Sequence, residues 1–137
     1  FNTRLAWYKI YEMQGNTLTE KKSEINVPVN NIVFNYNNPN EVFICYSTRF
    51  DIVDLTTMQT KKSITGAFRD VDILTGNLLY KVNSTTGSLT NQYKILDSNY
   101  TDEILSFSTG NQSGARLFNS YFMINNYFIH TDKIKNQ

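Results

Sequence analysis

The runs Asn31-Ile32-Val33-Phe34, Glu41-Val42-Phe43-Ile44-Cys45-Tyr46-Ser47, Phe50-Asp51-Ile52-Val53-Asp54 and Gln59–Thr65 decide the fold. Each is short and rich in β-branched and aromatic residues, the composition that suits a pleated, half-buried surface. Between the first two lies Asn35-Tyr36-Asn37-Asn38-Pro39-Asn40, where Asn tolerates left-handed backbone and Pro fixes its own φ, so the stretch reads as a turn. The same texture extends in both directions. Strands are expected at Arg4–Glu12, Asn16–Ile25, Phe68–Leu74, Asn77–Val82, Ser88–Leu96, Glu103–Ser108, Arg116–Asn125 and Tyr127–Thr131. Gly15-Asn16, Thr75-Gly76-Asn77, Thr86-Gly87-Ser88 and Thr109-Gly110-Asn111 read as hairpin connections. No window keeps an apolar stripe at helical spacing with caps. The chain is therefore expected to be all-β, a single unit over residues 1–137.

Composition narrows the function classes. The 137 residues carry 13 Lys plus Arg against 12 Asp plus Glu, a net charge of +1. Without a basic block, a nucleic-acid partner is not expected, because such binding draws its affinity from phosphate neutralisation. No apolar run is long enough to span a membrane as a helix. The lone Cys45 excludes an intrachain disulfide framework and any multi-cysteine zinc site. A single cysteine in an apolar strand suits a reducing, intracellular setting, with secretion left open. The first residue is Phe1, which suggests a processed chain or a piece of a longer one. The triplets Asn83-Ser84-Thr85, Asn99-Tyr100-Thr101 and Asn111-Gln112-Ser113 match the glycosylation acceptor pattern. A chain with 18 Asn, 15 Thr and 10 Ser yields such triplets by chance.

A periodic element chooses among all-β architectures. Tyr8-Lys9-Ile10-Tyr11-Glu12, Phe50–Asp54, Leu79-Tyr80-Lys81-Val82-Asn83 and Tyr127-Phe128-Ile129-His130-Thr131 are alternations that each end in a polar residue. The end positions Glu12, Asp54, Asn83 and Thr131 are taken as the structural turn positions of a repeat, and their spacing brackets the roughly 40–45 residues of a propeller blade. On these residues the chain resembles the WD-repeat β-propeller family. Val53-Asp54, Val82-Asn83 and His130-Thr131 stand where the family has its Trp-Asp dipeptide, and the Gly-His pair is absent. The resemblance implies blades at 1–29 (partial), 30–66, 67–100 and 101–137 (partial), with Thr101–Ser108 opening the last. It thus implies a partial propeller of about three blades, where closure takes four to eight. The missing blades would come from the same chain or a partner subunit. A stand-alone β-sandwich or barrel is the competing architecture.

No convergent catalytic set emerges, so no enzyme activity, cofactor or metal is expected. His130 and Asp132 could share a strand face as metal ligands, but read more simply as a strand end and a turn. Asp70 and Asp72 beside Arg69 read as a solvated or salt-bridged face. Asp54 reads as a turn former that accepts backbone N–H from Thr56 or Thr57. Cys45 reads as a small buried apolar side chain. Lys21-Lys22 and Lys61-Lys62 occupy corresponding outer-strand positions, where lysines protect sheet edges. The resemblance implies a non-catalytic scaffold that binds other proteins within a larger assembly. The alternative is a secreted or viral β-sandwich that recognises a receptor or glycan through Asn- and Tyr-rich loops.

Overall fold

The computed structural model describes residues 6–82, 92–108, 116–118, 121–124 and 127–130. Among these residues thirteen strands run in order: β1 (Ala6–Gln14), β2 (Thr17–Val27), β3 (Val29–Phe34), β4 (Glu41–Tyr46), β5 (Arg49–Asp54), β6 (Gln59–Thr65), β7 (Ala67–Val71), β8 (Leu78–Lys81), β9 (Gln92–Leu96), β10 (Glu103–Ser108), β11 (Arg116–Phe118), β12 (Tyr121–Ile124) and β13 (Tyr127–His130). There is no helix among the described residues. The strands form four antiparallel sheets with orders β1-β2, β3-β4-β5-β6, β7-β8-β9-β10 and β11-β12-β13. None closes into a barrel. Each is a meander, so every strand pairs with its neighbour in sequence.

The sheets stack in chain order, and alternation along the central strands explains how. In β4, Val42 and Ile44 face β1–β2, where they pack with Tyr8 and Val53. Phe43 points the other way and joins Phe50, Ile52, Ile64, Val71, Leu78, Leu96 and Tyr100 between the two four-stranded sheets. Phe68 stacks on Phe43 at a centroid distance of 4.7 Å and meets Phe50 edge-on at 5.8 Å. Beyond the second large sheet, Leu79, Tyr93 and Ile95 pack against Leu117 of β11. The two four-stranded sheets thus bury both faces, which is why β4 reads as a continuous apolar run.

A shared irregularity aligns the sheets with one another. In β1–β2, Ile10 pairs with Lys22 and Tyr11 with Glu20, leaving Lys21 bulged. In β5–β6, Ile52 pairs with Lys62 and Val53 with Thr60, so Lys61 is bulged. In β9–β10, Ile95 pairs with Leu105 and Leu96 with Glu103, so Ile104 is bulged. The bulge falls at the same point of the ladder three times, which makes β1, β5 and β9 equivalent strands. Tyr8, Phe50 and Tyr93 then coincide, and each is buried against the following sheet.

This register corrects two expectations. Thr101–Ser108 does not open a new blade: β10 pairs with β9 and completes the second large sheet, so the boundary expected after residue 100 falls beyond Ser108. Asn83 lies outside the described residues; the described counterpart of Asp54 is Asp97, after β9, whereas β8 is a second strand. Both errors have one cause. Leu79–Val82 has the same alternation as a third strand, and local pattern does not record a strand's rank in its sheet. Arg116–Asn125, expected as one strand, is two, with Phe118 paired to Tyr121.

The link between the two large sheets is one residue long. Gly66 joins β6 to β7 with φ 146°, and a Cβ there would lie 2.6 Å from the Lys81 carbonyl oxygen and 2.9 Å from Tyr80 Cδ2. By contrast the Gly15-Asn16 hairpin tip is open, with nothing near Gly15. We expect Gly66→Ala to lower unfolding free energy by about 2–3 kcal/mol, combining backbone strain with overpacking. Gly15→Ala, which meets only the φ penalty, costs about 1 kcal/mol. Urea unfolding of the two variants checks the ranking.

Candidate functional site

The polar groups that sequence singled out are mostly engaged with backbone. Asp54 Oδ1 accepts from the Thr56 N–H at 2.8 Å, as its turn role requires. Asp97 does the same more fully, accepting from the N–H groups of Thr101 at 2.8 Å and Asp102 at 3.1 Å. Sequence reading missed Asp97, although Tyr93-Lys94-Ile95-Leu96-Asp97 repeats the pattern of Phe50–Asp54. Glu12 aligns with both, yet it lies inside β1 opposite Thr19, because that hairpin continues to Gln14. Its carboxylate instead pairs with Lys21 at 3.2 Å. Asn83 and Thr131 lie outside the described residues, as do Asp132 and the hairpin connections at residues 86–88 and 109–111; His130 ends β13.

Asp70 and Asp72 do not form a solvated acidic face. Asp70 Oδ2 accepts from the Leu117 N–H at 2.9 Å, tying β7 to β11, and Asp72 Oδ1 accepts from Leu74 and Thr75. Burial raises the Asp70 carboxyl above its ordinary range despite those N–H bonds. Asp72 is fully buried just past the end of β7. Cys45 is half-buried beside the central core, and burial pushes its thiol up to about 11. A thiol so placed is protonated at neutral pH and is a poor nucleophile.

The lysine doublets have a role that edge protection did not foresee. Because the bulge admits an extra residue, adjacent lysines share work on one side of the sheet. Lys62 Nζ donates to the Tyr100 carbonyl, and Lys22 Nζ donates to the Met58 carbonyl at 3.3 Å. Met58 and Tyr100 are equivalent, with left-handed φ of 59° and 61° in the turns after β5 and β9. The second lysine of each doublet, next to the bulged one, therefore holds the turn of the next sheet.

Between the two large sheets these parts close around a buried carboxylate. Tyr100 O–H donates to Glu41 Oε1 at 2.7 Å, and Asn35 Nδ2 donates to Glu41 Oε1 and to the Tyr100 oxygen, each at 3.1 Å. Lys61 Nζ pairs with Glu41 Oε2. Burial, then the Glu41 hydrogen bond, drives the Tyr100 phenol far above its usual range, so it stays a donor. Asn35 Oδ1 also accepts from Asn37 and Asn38, fixing the turn.

The corresponding space between β1–β2 and the first large sheet is open. It is a cleft of about 570 Å³ bounded by Ile10 and Lys21 on one side and Phe34, Val42, Leu55 and Met58 on the other. Phe34 is 57 % exposed there, whereas Val71, its counterpart after β7 pairs with β8, is 7 % exposed. The outer face of the hairpin is open too, with Trp7, Tyr11, Met13, Leu18 and Ile25 exposed. Trp7 stands opposite Ile25 and Met13 opposite Leu18. No group of three or more His, Cys, Asp and Glu residues fit for a metal ion exists among the described residues. Among the same residues no helix is long and apolar enough to cross a membrane.

These features define an all-β protein of stacked antiparallel sheets. No protein-family profile matches the chain, and no curated protein matches it at a significant level. Among solved structures it is similar to a chain of Kuenenia stuttgartiensis hydrazine synthase, with TM-score 0.56 and 15% identity, covering 77% of this chain and 34% of that one. The chain spans about a third of that neighbour's length, and the likeness is one of fold.

Two substitutions test this reading. Tyr100→Phe removes the donor to a buried carboxylate and is expected to cost about 2 kcal/mol, more than an ordinary neutral hydrogen bond. Asp97 responds to pH. Its burial raises the carboxyl, but the Thr101 and Asp102 N–H groups and the Thr101 hydroxyl outweigh that and hold it below the ordinary range. A lowered folded-state value stabilises above the unfolded pKa and is lost as pH falls through the folded one. Asp97→Ala is therefore expected to cost about 1 kcal/mol at pH 7, a typical loss for such a cap, with the gap to wild type shrinking below about pH 4. Denaturation across pH 2.5–7 reads both.

Proposed function

We propose that the chain is a segment of a WD-like β-propeller that serves as a non-catalytic protein-interaction scaffold in a larger assembly. The remaining blades would come from the same chain or a partner subunit. Support for the propeller comes from the stack of consecutive meanders with a repeated bulge, and from the 42- and 43-residue steps from Glu12 to Asp54 and on to Asp97. The non-catalytic reading rests on where the candidate groups went: Asp54, Asp70, Asp72 and Asp97 cap backbone, and Cys45 carries a suppressed thiol.

One observation carries the interaction role. The faces of the two large sheets equivalent to the outer face of β1–β2 are buried, at Val53 and Leu96, while Tyr11 at the same position is exposed. Around it Trp7, Met13, Leu18 and Ile25 extend the apolar strip. Exposed large apolar side chains gathered on one face, with the Lys9–Glu20 ion pair set among them, mark a protein contact. Tyr and Trp there supply large area at low entropy cost.

The test is a Trp7→Ser, Tyr11→Ser, Met13→Ser variant, compared with wild type in affinity capture from cells that express the protein. These exposed changes should leave Tm within about 3 °C. The bound partner set should fall about tenfold, the effect of losing about 1.4 kcal/mol of contact. An unchanged partner set would overturn the proposal.

A further inference from the structure

The cluster around Glu41 holds the parts of a condensation reaction as well as those of a hydrogen-bond network. Asn35 Oδ1 accepts the backbone N–H of Asn37 at 3.0 Å and that of Asn38 at 3.2 Å. Two donors aimed at a carbonyl oxygen polarise its carbon and hold the charge that develops when a nucleophile adds. Asn35 Nδ2 donates to Glu41 Oε1 at 3.1 Å, and Lys61 Nζ donates to the other oxygen, Oε2. One carboxylate therefore touches both an amine and an amide nitrogen, which is where a shared proton carrier must sit. The Tyr100 hydroxyl donates to Oε1 at 2.7 Å and fixes the carboxylate between them.

The surroundings suit such a step. Asn35, Glu41 and Tyr100 are all buried, and Phe43 meets the Tyr100 ring edge-on with centroids 6.3 Å apart. Lys61 enters this dry pocket from a half-exposed position on β6. Its flexible four-carbon stem can carry Nζ from the carboxylate to the neighbouring Cγ. The second large sheet offers a comparison. There Asp72, Asn77 and Ile104 hold the positions of Asn35, Glu41 and Lys61. Ile104 brings no amine, so of the two large sheets the first alone has all three parts.

We propose that Lys61 and Asn35 join in an autocatalytic isopeptide bond, with Glu41 as the catalytic proton carrier. Nζ passes a proton to Glu41, and the freed lone pair attacks Asn35 Cγ. The N–H groups of Asn37 and Asn38 hold the negative charge on Oδ1. The Cγ–Nδ2 bond then breaks, and Nδ2 takes a proton through Glu41 and leaves as ammonia. Of the three Nζ protons of the ammonium, one ends on the ammonia, one on Glu41 and one on the new amide. Nothing is oxidised or reduced. One amide replaces another, and escape of ammonia past the half-exposed Lys61 draws the exchange forward. Glu41 finishes as a neutral acid, so consuming the Lys61 charge leaves no unpaired buried carboxylate. The bond ties the end of β3 to β6, the two outer strands of the first large sheet. It is independent of the interaction role, and either can fail alone.

Intact mass spectrometry of the whole protein, as purified and after prolonged incubation at neutral pH, tests the bond. The expected product is lighter by one ammonia. Trypsin should release a branched peptide in which Ser23–Arg49 is joined through Asn35 to Phe50–Lys62, with cleavage after Lys61 blocked. Lys61→Arg keeps a cation on Glu41 and should retain full mass. Glu41→Gln keeps the shape but carries no proton, and should form the bond at least about a hundredfold more slowly. Full mass in the wild-type protein, with the two peptides separate, would overturn the proposal. Loss of ammonia with Asn35 and Lys61 on separate peptides would do the same, because Asn35 has then cyclised alone. A Glu41→Gln protein that links at the wild-type rate would refute the role given to Glu41.

Discussion

A carboxylate buried between two sheets constrains much of this molecule. Glu41 begins β4 on the face that meets the second large sheet, where an unpaired charge would cost several kcal/mol. Its partners arrive from three directions. Lys61 comes from the β6 bulge, Asn35 from the end of β3 and Tyr100 from the turn after β9. Satisfying that group requires the bulge, the Asn-rich turn and a left-handed tyrosine all to be in place. The apolar layer of Phe43, Phe50 and Phe68 supplies burial, and burial is non-directional. The polar cluster adds direction, fixing how the sheets are set against one another.

The same logic explains the lysine doublets. A bulge usually serves to twist an edge or end a ladder. In this protein it also places two neighbouring cations on one side of a sheet, one for a carboxylate of that sheet and one for a carbonyl of the next. The third sheet dispenses with the device: Ile104 and Leu105 stand at the bulge and pack against Leu79 and Ile95. The choice between lysine and aliphatic therefore tracks whether a polar or an apolar neighbour awaits.

Much of the fold was legible in the sequence because alternation and turn chemistry are local. The four strands from Asn31 to Thr65 and the turn at Asp54 could be read directly. Rank within a sheet could not, because it depends on pairing partners far along the chain. Asp97 was overlooked for Asn83 on that account, and Thr101–Ser108 was assigned to the wrong sheet. The site was less legible still. Glu41 looks like an ordinary strand-edge acid, and only its spatial neighbours reveal it as buried. The exposure of Trp7 and Met13 is equally invisible in a strand whose two faces are both apolar. Lys61 and Lys62 were correctly matched to Lys21 and Lys22, but bulges leave no mark in composition.

The one-residue passage through Gly66 has a practical side. With φ in a region that side chains resist and two neighbours within 3 Å of any Cβ, the joint between the large sheets leaves no slack. An inserted loop, a fluorescent label or a protease site there would have to separate the two sheets to be accommodated. The Gly15-Asn16 tip is the opposite case, a projecting turn with nothing around it. Anyone attaching a handle to this protein should choose that tip. Splitting the chain at Gly66 to obtain separate sheets would expose the aromatic layer that holds them together.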